Sequence, residues 1–272
     1  SQSLAINFHK WKNSQKKFKK FLSHFSNQSQ YMIDKKTNQD IEDFNFNPFY
    51  LPTDGLLGLI SNFKNSLNYN RGKQDFSTTY SYSLNKSKNT LSFGYIENNL
   101  ESNQLNFIHK LNTNWLLEIN STLENKESIS ENFDSKNYNL DQFKISPKMT
   151  YLFNESNRLN FYYQYSTNEN TTGNLESLKQ QKIGISCSIS NAEKINFSSE
   201  FNYFSNSFEG NPNSIIGYIV MEGLQVGSNY TWSLTAQKKL TKFLDLNLSY
   251  FGRKSENSNS IHNGTIQLRA IF

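Results

Sequence analysis

The sequence predicts an all-β chain folded as a transmembrane antiparallel meander β-barrel of about 12 to 14 strands. Three observations lead there. Apolar residues recur at every second position in one segment after another, the period of a strand and not of a helix. The opposite positions are Asn, Ser, Gln, Lys and Thr along whole segments, the pattern of a wall with one face toward acyl chains and the other toward a wet lumen. Aromatic residues make up 15% of the chain although its mean hydropathy is −0.71. A chain that is polar on average but rich in rings must separate the two classes in space.

In chain order, "LAINF" at 4–8 is a short candidate strand, and residues 21–33 carry Phe21, Phe25, Tyr31 and Ile33 in one parity. "DFNFNPFYLPTDG" from Asp43 to Gly55 breaks the alternation with Pro48 and Pro52, because proline cannot donate to a ladder. It reads as a connector tucked into the lumen. Residues 1–56 are therefore expected to be a basic segment with one or two strands and this connector, and residues 57–272 the barrel proper.

From there the alternating sets follow one another. They are Leu57, Leu59, Phe63, Leu67 and Tyr69; Phe76, Tyr80, Tyr82 and Leu84; Leu91, Phe93 and Tyr95; Leu105, Phe107 and Leu111. Next come Trp115, Leu117, Ile119 and Leu123; Phe143, Ile145, Met149, Tyr151 and Phe153; Leu159, Phe161, Tyr163 and Tyr165; Ile183, Ile185, Cys187 and Ile189. The last are Ile195, Phe197, Phe201 and Tyr203; Tyr230, Trp232, Leu234 and Ala236; Leu244, Leu246, Leu248 and Tyr250; and Ile266, Leu268, Ala270 and Phe272. Many segments run to roughly ten residues, longer than the five or six usual in soluble sandwiches. Full closure in lipid leaves no donor or edge unpaired.

The connections supply a second test. With Phe272 in the periplasm, the inner turns are "LTK" at 240–242, "NAEK" at 191–194, "NES" at 154–156, "TN" at 113–114 and "KSK" at 86–88. The outer loops are "GRKSENSNSIHNG", residues 206–228, "STNENTTGNLES", "NKESISENFDSKN", "NNLES" and "NRGK". Short inner turns and long outer loops are the asymmetry of an outer-membrane barrel. "IIGYIVMEGLQVG" within 206–228 is read as a loop that packs back on itself rather than as a hairpin strand.

Composition excludes several classes. Four Pro and one Cys rule out collagen-like and disulfide-stapled chains, and Cys187 in "IGISCSIS" reads as strand filler. No apolar stretch approaches the roughly 18 residues of a membrane-crossing helix. The net charge is +5, with basic residues dispersed except in "KWKNSQKKFKK". There Lys10, Lys12, Lys16, Lys17, Lys19 and Lys20 interleave with Trp11 and Phe18. No nucleic-acid recognition module accompanies the run, so it is read as facing phosphate-bearing lipid headgroups. The chain starts at Ser1 without a signal peptide, which favours a processed chain or a piece of a longer one.

No catalytic, cofactor or metal residue is expected. His109 lies on the apolar parity beside Phe107 and Leu111, a poor place for a general base. His262 is near Arg253, Glu256 and Ser260 and reads as solvated surface; His9 and His24 neighbour the amino-terminal lysines. No two histidines have metal-ligand spacing, and no nucleophile elbow or paired-carboxylate motif appears. Gly223 and Gly227 in "MEGLQVGSN" serve turning, since no helix follows for a phosphate to cap. No charge ring of one sign identifies a transported solute.

The C-terminal stretch adds a resemblance. Glu222 to Leu224, Gly227, Asn229, Tyr230, Trp232 and Gly252 to Ser255, with the final aromatic Phe272, resemble the closing region of long, mostly uncharacterised Bacteroidota outer-membrane proteins. There an "EGL.PG.NY.W" segment leads into paired strands and a "GRKS" loop; here Val226 stands at the proline position. The Asn, Lys and Ser richness is similar to that of an AT-rich member of that phylum. The resemblance implies a barrel at the end of a longer surface or secretion-associated protein, with a terminal aromatic recognised by barrel-assembly machinery. It implies no catalytic residue.

The expected function is accordingly non-enzymatic. It is an outer-membrane β-barrel anchoring or scaffolding a surface, secretion or gliding-associated assembly. Its expected neighbours are outer-membrane lipid and lipopolysaccharide, the assembly machinery during biogenesis and protein partners, with no nucleic acid. Two alternatives stand beside it: a passive or gated pore for small solutes, and a soluble secreted β-rich adhesin with its aromatic face buried between sheets.

Overall fold

The computed structural model describes residues 1–38, 56–72, 75–92, 94–173, 175–191, 195–241 and 243–270. The connector at 43–55, Phe93 and Phe272 lie outside the described residues. The strands are β1 (Gln2–Asn7), β2 (Phe25–Thr37), β3 (Leu56–Tyr69), β4 (Phe76–Leu91), β5 (Gly94–Lys110), β6 (Trp115–Ser130) and β7 (Tyr138–Leu152). They continue with β8 (Asn157–Asn170), β9 (Ser177–Asn191), β10 (Ile195–Glu209), β11 (Gly227–Thr241), β12 (Leu244–Ser255) and β13 (Ile261–Ala270). Two short helices interrupt them, α1 (Lys17–Leu22) and α2 (Ile215–Met221).

All thirteen strands form one sheet in sequence order, each antiparallel to the next. The count falls within the expected range, and β1 and β2 join the amino-terminal segment to the same sheet. Among the described residues no helix is long and apolar enough to cross a membrane. Pro147 holds its register against Ile119 of β6, while the pairing with β8 lapses at Ser146 and Pro147. The ring has no N–H to donate there.

Side-chain parity separates two surfaces. Leu140, Leu178, Phe204, Thr150, Asn168 and Asn202 are buried and share one parity, the inner face. The other parity carries Tyr80, Leu105, Leu123, Phe161, Ile183, Ile185, Phe201 and Ile266, all exposed. This apolar surface runs from strand to strand around the sheet, and no second sheet of the described residues covers it. The soluble adhesin alternative needs that face buried between sheets, whereas here it is exposed.

Rings edge the belt. At the short-turn end a contact chain runs Phe21–Phe25 (5.2 Å), Phe25–Tyr69 (5.0 Å), Tyr69–Phe76 (5.9 Å) and Phe76–Phe107 (5.2 Å). Trp115–Tyr151 (4.9 Å) and Tyr151–Phe153 (4.8 Å) continue it. The other rim carries Tyr203–Tyr230 (5.3 Å), Trp232–His262 (5.7 Å) and Tyr250–His262 (6.1 Å). Two aromatic girdles bounding an apolar band are the interfacial anchors of a membrane barrel. The indole of Trp232 lies across Gly252, where any Cβ would collide with it. On β2 and β3, polar groups that fall on the belt bond one another. Asn27 and Asn65 exchange hydrogen bonds at 3.1 and 3.2 Å, and Asn65 donates to Ser29 at 2.7 Å.

The connections correct the sequence reading in one region. "KSK" lies inside β4 and "NNLES" inside β5, which is a single strand of 17 residues. The turn between them falls after Leu91, so the sets at 91–95 and 105–111 are not separate strands. Everything upstream changes side. Residues 70–72 of "NRGK" and the basic segment 8–24 lie at the end that holds the short turns 111–114 and 153–156. The long turn end holds 131–137, 171–173, 175–176, 210–226 and 256–260. Much of what reads as long loop is strand instead: β6 runs to Ser130, β8 to Asn170 and β10 to Glu209.

The physical reason is height. A strand crosses the hydrocarbon in about 9–11 residues, yet β5, β6 and β9 have 17, 16 and 15. Above the belt both faces meet water, so alternation ends while the backbone ladder continues.

Candidate functional site: the polar collar and the outer mouth

Just above the belt the register aligns Leu84, Glu101, Asn125, Asp141 and Glu169 across five strands on the outward face. The next row is Lys86, Asn99, Glu127 and Asn139. Cross-strand hydrogen bonds stiffen this collar. Asn125 donates to Asn139 and Asp141, both at 2.7 Å, Asn99 to Glu127 at 2.9 Å, and Tyr80 to Asn103 at 2.7 Å. Lys88 sits 4.0 Å from Glu97 and 3.9 Å from the Tyr95 ring centroid. At about 3.3 Å per residue, the wall from Leu123 to Ser130 rises roughly 20 Å along the strand.

The 210–226 loop turns inward onto the wall at the same end. Ser214 caps α2 by accepting from Gly217 N–H at 2.9 Å, and its hydroxyl donates to Glu176 at 2.6 Å. Asn170 donates to the other Glu176 oxygen at 3.3 Å, and Glu176 is buried. Ile216 packs on Tyr138 and Leu140 of β7, with Ile219 and Val220 beside it. The loop's return is held by Asn229, which has 0% exposure. Its amide donates to the carbonyls of Gln225 (2.7 Å) and Gly227 (3.1 Å). Its side-chain oxygen accepts from Gln225 N–H (3.0 Å) and the Ser255 hydroxyl (2.6 Å). Asn206 adds a bond to Gln225 O at 3.0 Å. The expectation that this stretch packs back on itself holds; its middle is helical.

Lower on the inner wall, Tyr162 lies across Gly184. Its hydroxyl donates to Glu200 at 2.7 Å and also contacts Asn202, which in turn donates to Glu200 (2.8 Å) and Thr231 (3.2 Å). Lys182 stands 3.9 Å from Glu200 and 5.2 Å from the rings of Tyr162 and Phe204. Nearer the short turns, Lys148 and Glu118 pair at 2.6 Å, both partly exposed. Both charge signs alternate on this wall. Because that pair is solvent-screened, Glu118→Gln is expected to cost no more than about 1 kcal/mol. Urea unfolding of the inserted protein in vesicles checks it.

The sequence-predicted residues divide between the two ends. Ile266 and Leu268 point outward, 73% and 60% exposed, and pair with Leu248 and Leu246; Ala270 pairs with Leu244. Lys10, Lys12, Lys16, Lys17, Lys19 and Lys20 are all exposed, with Lys17, Lys19 and Lys20 on α1. They lie next to the short-turn girdle through Phe21, and Lys19 is 5.6 Å from the Trp11 ring. His109 bonds the Asp75 carbonyl at 2.7 Å, and His262 bonds the Tyr250 hydroxyl at 2.8 Å within the outer girdle. Sequence reasoning placed His262 on the solvated surface and missed its place in the girdle. Its parity with Ile266 and Leu268 is the signal for it. Among the described residues no group of three or more His, Cys, Asp or Glu could hold a metal ion.

No family model and no curated protein matches the chain. Solved structures do. The siderophore receptor PirA from Acinetobacter baumannii matches with a TM-score of 0.56 at 9% identity, over 90% of this chain and 41% of its own. The ferric yersiniabactin uptake receptor FyuA from Yersinia pestis matches with a TM-score of 0.50 at 9% identity, over 89% and 49%. The chain thus spans less than half the length of these receptors. At such identity the likeness is one of fold. Together with an apolar belt between aromatic girdles, it makes the chain a multi-pass outer-membrane β-barrel.

Proposed function

We propose that this barrel is a non-enzymatic anchor and scaffold for a surface, secretion or gliding-associated assembly. The observation that carries the reading is the collar. A hydrogen-bonded polar wall standing above the lipid is a rigid platform, and its outward rows of Glu101, Asn125, Asp141 and Glu169 offer polar contacts for a protein partner. The resemblance of the C-terminal stretch to Bacteroidota surface proteins agrees with it. In this reading the basic segment meets phospholipid headgroups at the periplasmic leaflet, the collar stands among lipopolysaccharide, and β13 with Phe272 is read by the assembly machinery.

The test is crosslinking in native outer membranes followed by identification of co-purifying proteins. A collar variant carrying Asn125→Ala and Asp141→Ala is expected to lose those partners while its heat-modifiable migration stays unchanged. An unchanged partner set in that variant counts against the scaffold.

A second reading, a passive or gated pore, is favoured by the polar inner wall, where Tyr162, Glu200, Asn202 and Thr231 form a hydrogen-bonded network. Conductance in planar bilayers supports it, and silent insertion counts against it.

A further inference from the structure

The two outermost strands leave the sheet open among the described residues. β13 pairs only with β12, and β1 only with β2. In hydrocarbon such an edge strands alternate N–H and C=O groups that water cannot reach. Every residue of both edge strands is exposed, including the inward Asn263, Thr265, Gln267 and Arg269 of β13.

Strand direction decides what can cover these edges. The meander has thirteen strands, an odd number, so β1 and β13 run the same way through the membrane. Closing β13 directly on β1 would make a parallel pair in an otherwise antiparallel wall. A head-to-tail ring of two copies meets the same objection, because it again sets β13 against β1. Copies that join β13 to β13 about an axis along the membrane normal are parallel as well, and they turn the lipid face of one copy inward. Only an odd number of additional strands restores antiparallel pairing on both edges, and bacterial single-chain barrels have even strand numbers.

Two further observations select the source of those strands. Every neighbour in the sheet is also the neighbour in sequence, so the wall grows by hairpins of one polypeptide. The two receptor folds that match 90% and 89% of this chain do so over only 41% and 49% of their own length, so an arrangement of this kind occurs within longer single polypeptides.

We propose that the edges of β1 and β13 are joined by an odd number of further antiparallel strands of the same polypeptide, so that the finished barrel has an even count above thirteen. The inference rests on the barrel reading. An antibody against the 272-residue chain is used on native outer membranes, with and without heating before electrophoresis. The expected result is one heat-modifiable band whose fully denatured mass exceeds 31.6 kDa. A heat-modifiable band at 31.6 kDa overturns closure by the same polypeptide while leaving the barrel intact. Recovery of the antigen in buffer without detergent overturns the barrel reading and this inference together.

Hydrogen exchange on the purified, detergent-folded full-length protein gives an independent reading. All amides of Ile261–Ala270 are expected to exchange as slowly as those of β12. Fast exchange at alternate positions of β13 marks an open edge and overturns the proposal.

Discussion

Replacing Ile185 with arginine is expected to destabilise the inserted barrel by about 2–4 kcal/mol, the cost of a lipid-facing cation near the midplane. Ile185 is 39% exposed, points outward from β9 and lies opposite Phe161 and Phe201. In lipid the guanidinium has neither water nor a carboxylate within reach, and snorkelling to a headgroup must cross half the belt. The adjacent Ser186→Arg is the internal control. Ser186 faces inward and accepts from Asn160 at 2.9 Å, so that variant loses one hydrogen bond, about 1 kcal/mol, and its charge stays in water. Urea titrations of both variants in lipid vesicles check the prediction. Equal losses would show that the two faces of β9 meet the same solvent.

Asn229→Ala is expected to cost about 1–3 kcal/mol through unsatisfied buried groups and to release the mouth loop from the wall. The Gln225 N–H, the Gly227 carbonyl and the Ser255 hydroxyl lose their Asn229 partner together, while the Gln225 carbonyl keeps only its bond from Asn206. The helix keeps its Ser214–Glu176 bond and the packing of Ile216 on Leu140, so the barrel survives while the 222–228 return frees itself. Limited proteolysis of membrane-embedded protein reads this directly. Cleavage within 210–228 should accelerate by about 5- to 150-fold, the factor equivalent to about 1–3 kcal/mol of local opening. If cleavage does not change, the loop is held elsewhere. In the same preparation a freed loop should raise bilayer conductance if the lumen conducts at all.

The belt was legible because its rule is local. Leu244, Leu246, Leu248 and Tyr250 announce an outward face by parity alone, and the register then confirms them against Ile266 and Leu268. The collar was not legible for the same reason. Lys86, Lys88, Asn99 and Glu101 break the apolar parity and so resemble turns, yet they sit in unbroken ladders of β4 and β5. Misplacing one turn there put residues 70–72 at the opposite end of the strands from where they lie. An antiparallel meander transmits such an error to every strand upstream.

The mouth shows the same division. "IIGYIVMEG" is readable as an apolar piece within a polar loop, but its landing place on Tyr138 and Leu140 is set by strands far away in sequence. Glu176 and Asn229 carry no motif; their importance arises from burial against Ser214, Asn170, Gln225 and Ser255.

By itself, then, the sequence determined the class of the fold, the lipid-facing parity of its strands and the solvent that parity requires, because these depend only on spacing two residues apart. The tertiary structure decided the height of the wall, the sidedness of the amino-terminal region, the inward fold of α2 and the place of β1 and β13 at the two ends of the described sheet. Those features depend on which strands meet and at what register, and alternation along one strand carries no information about its neighbour.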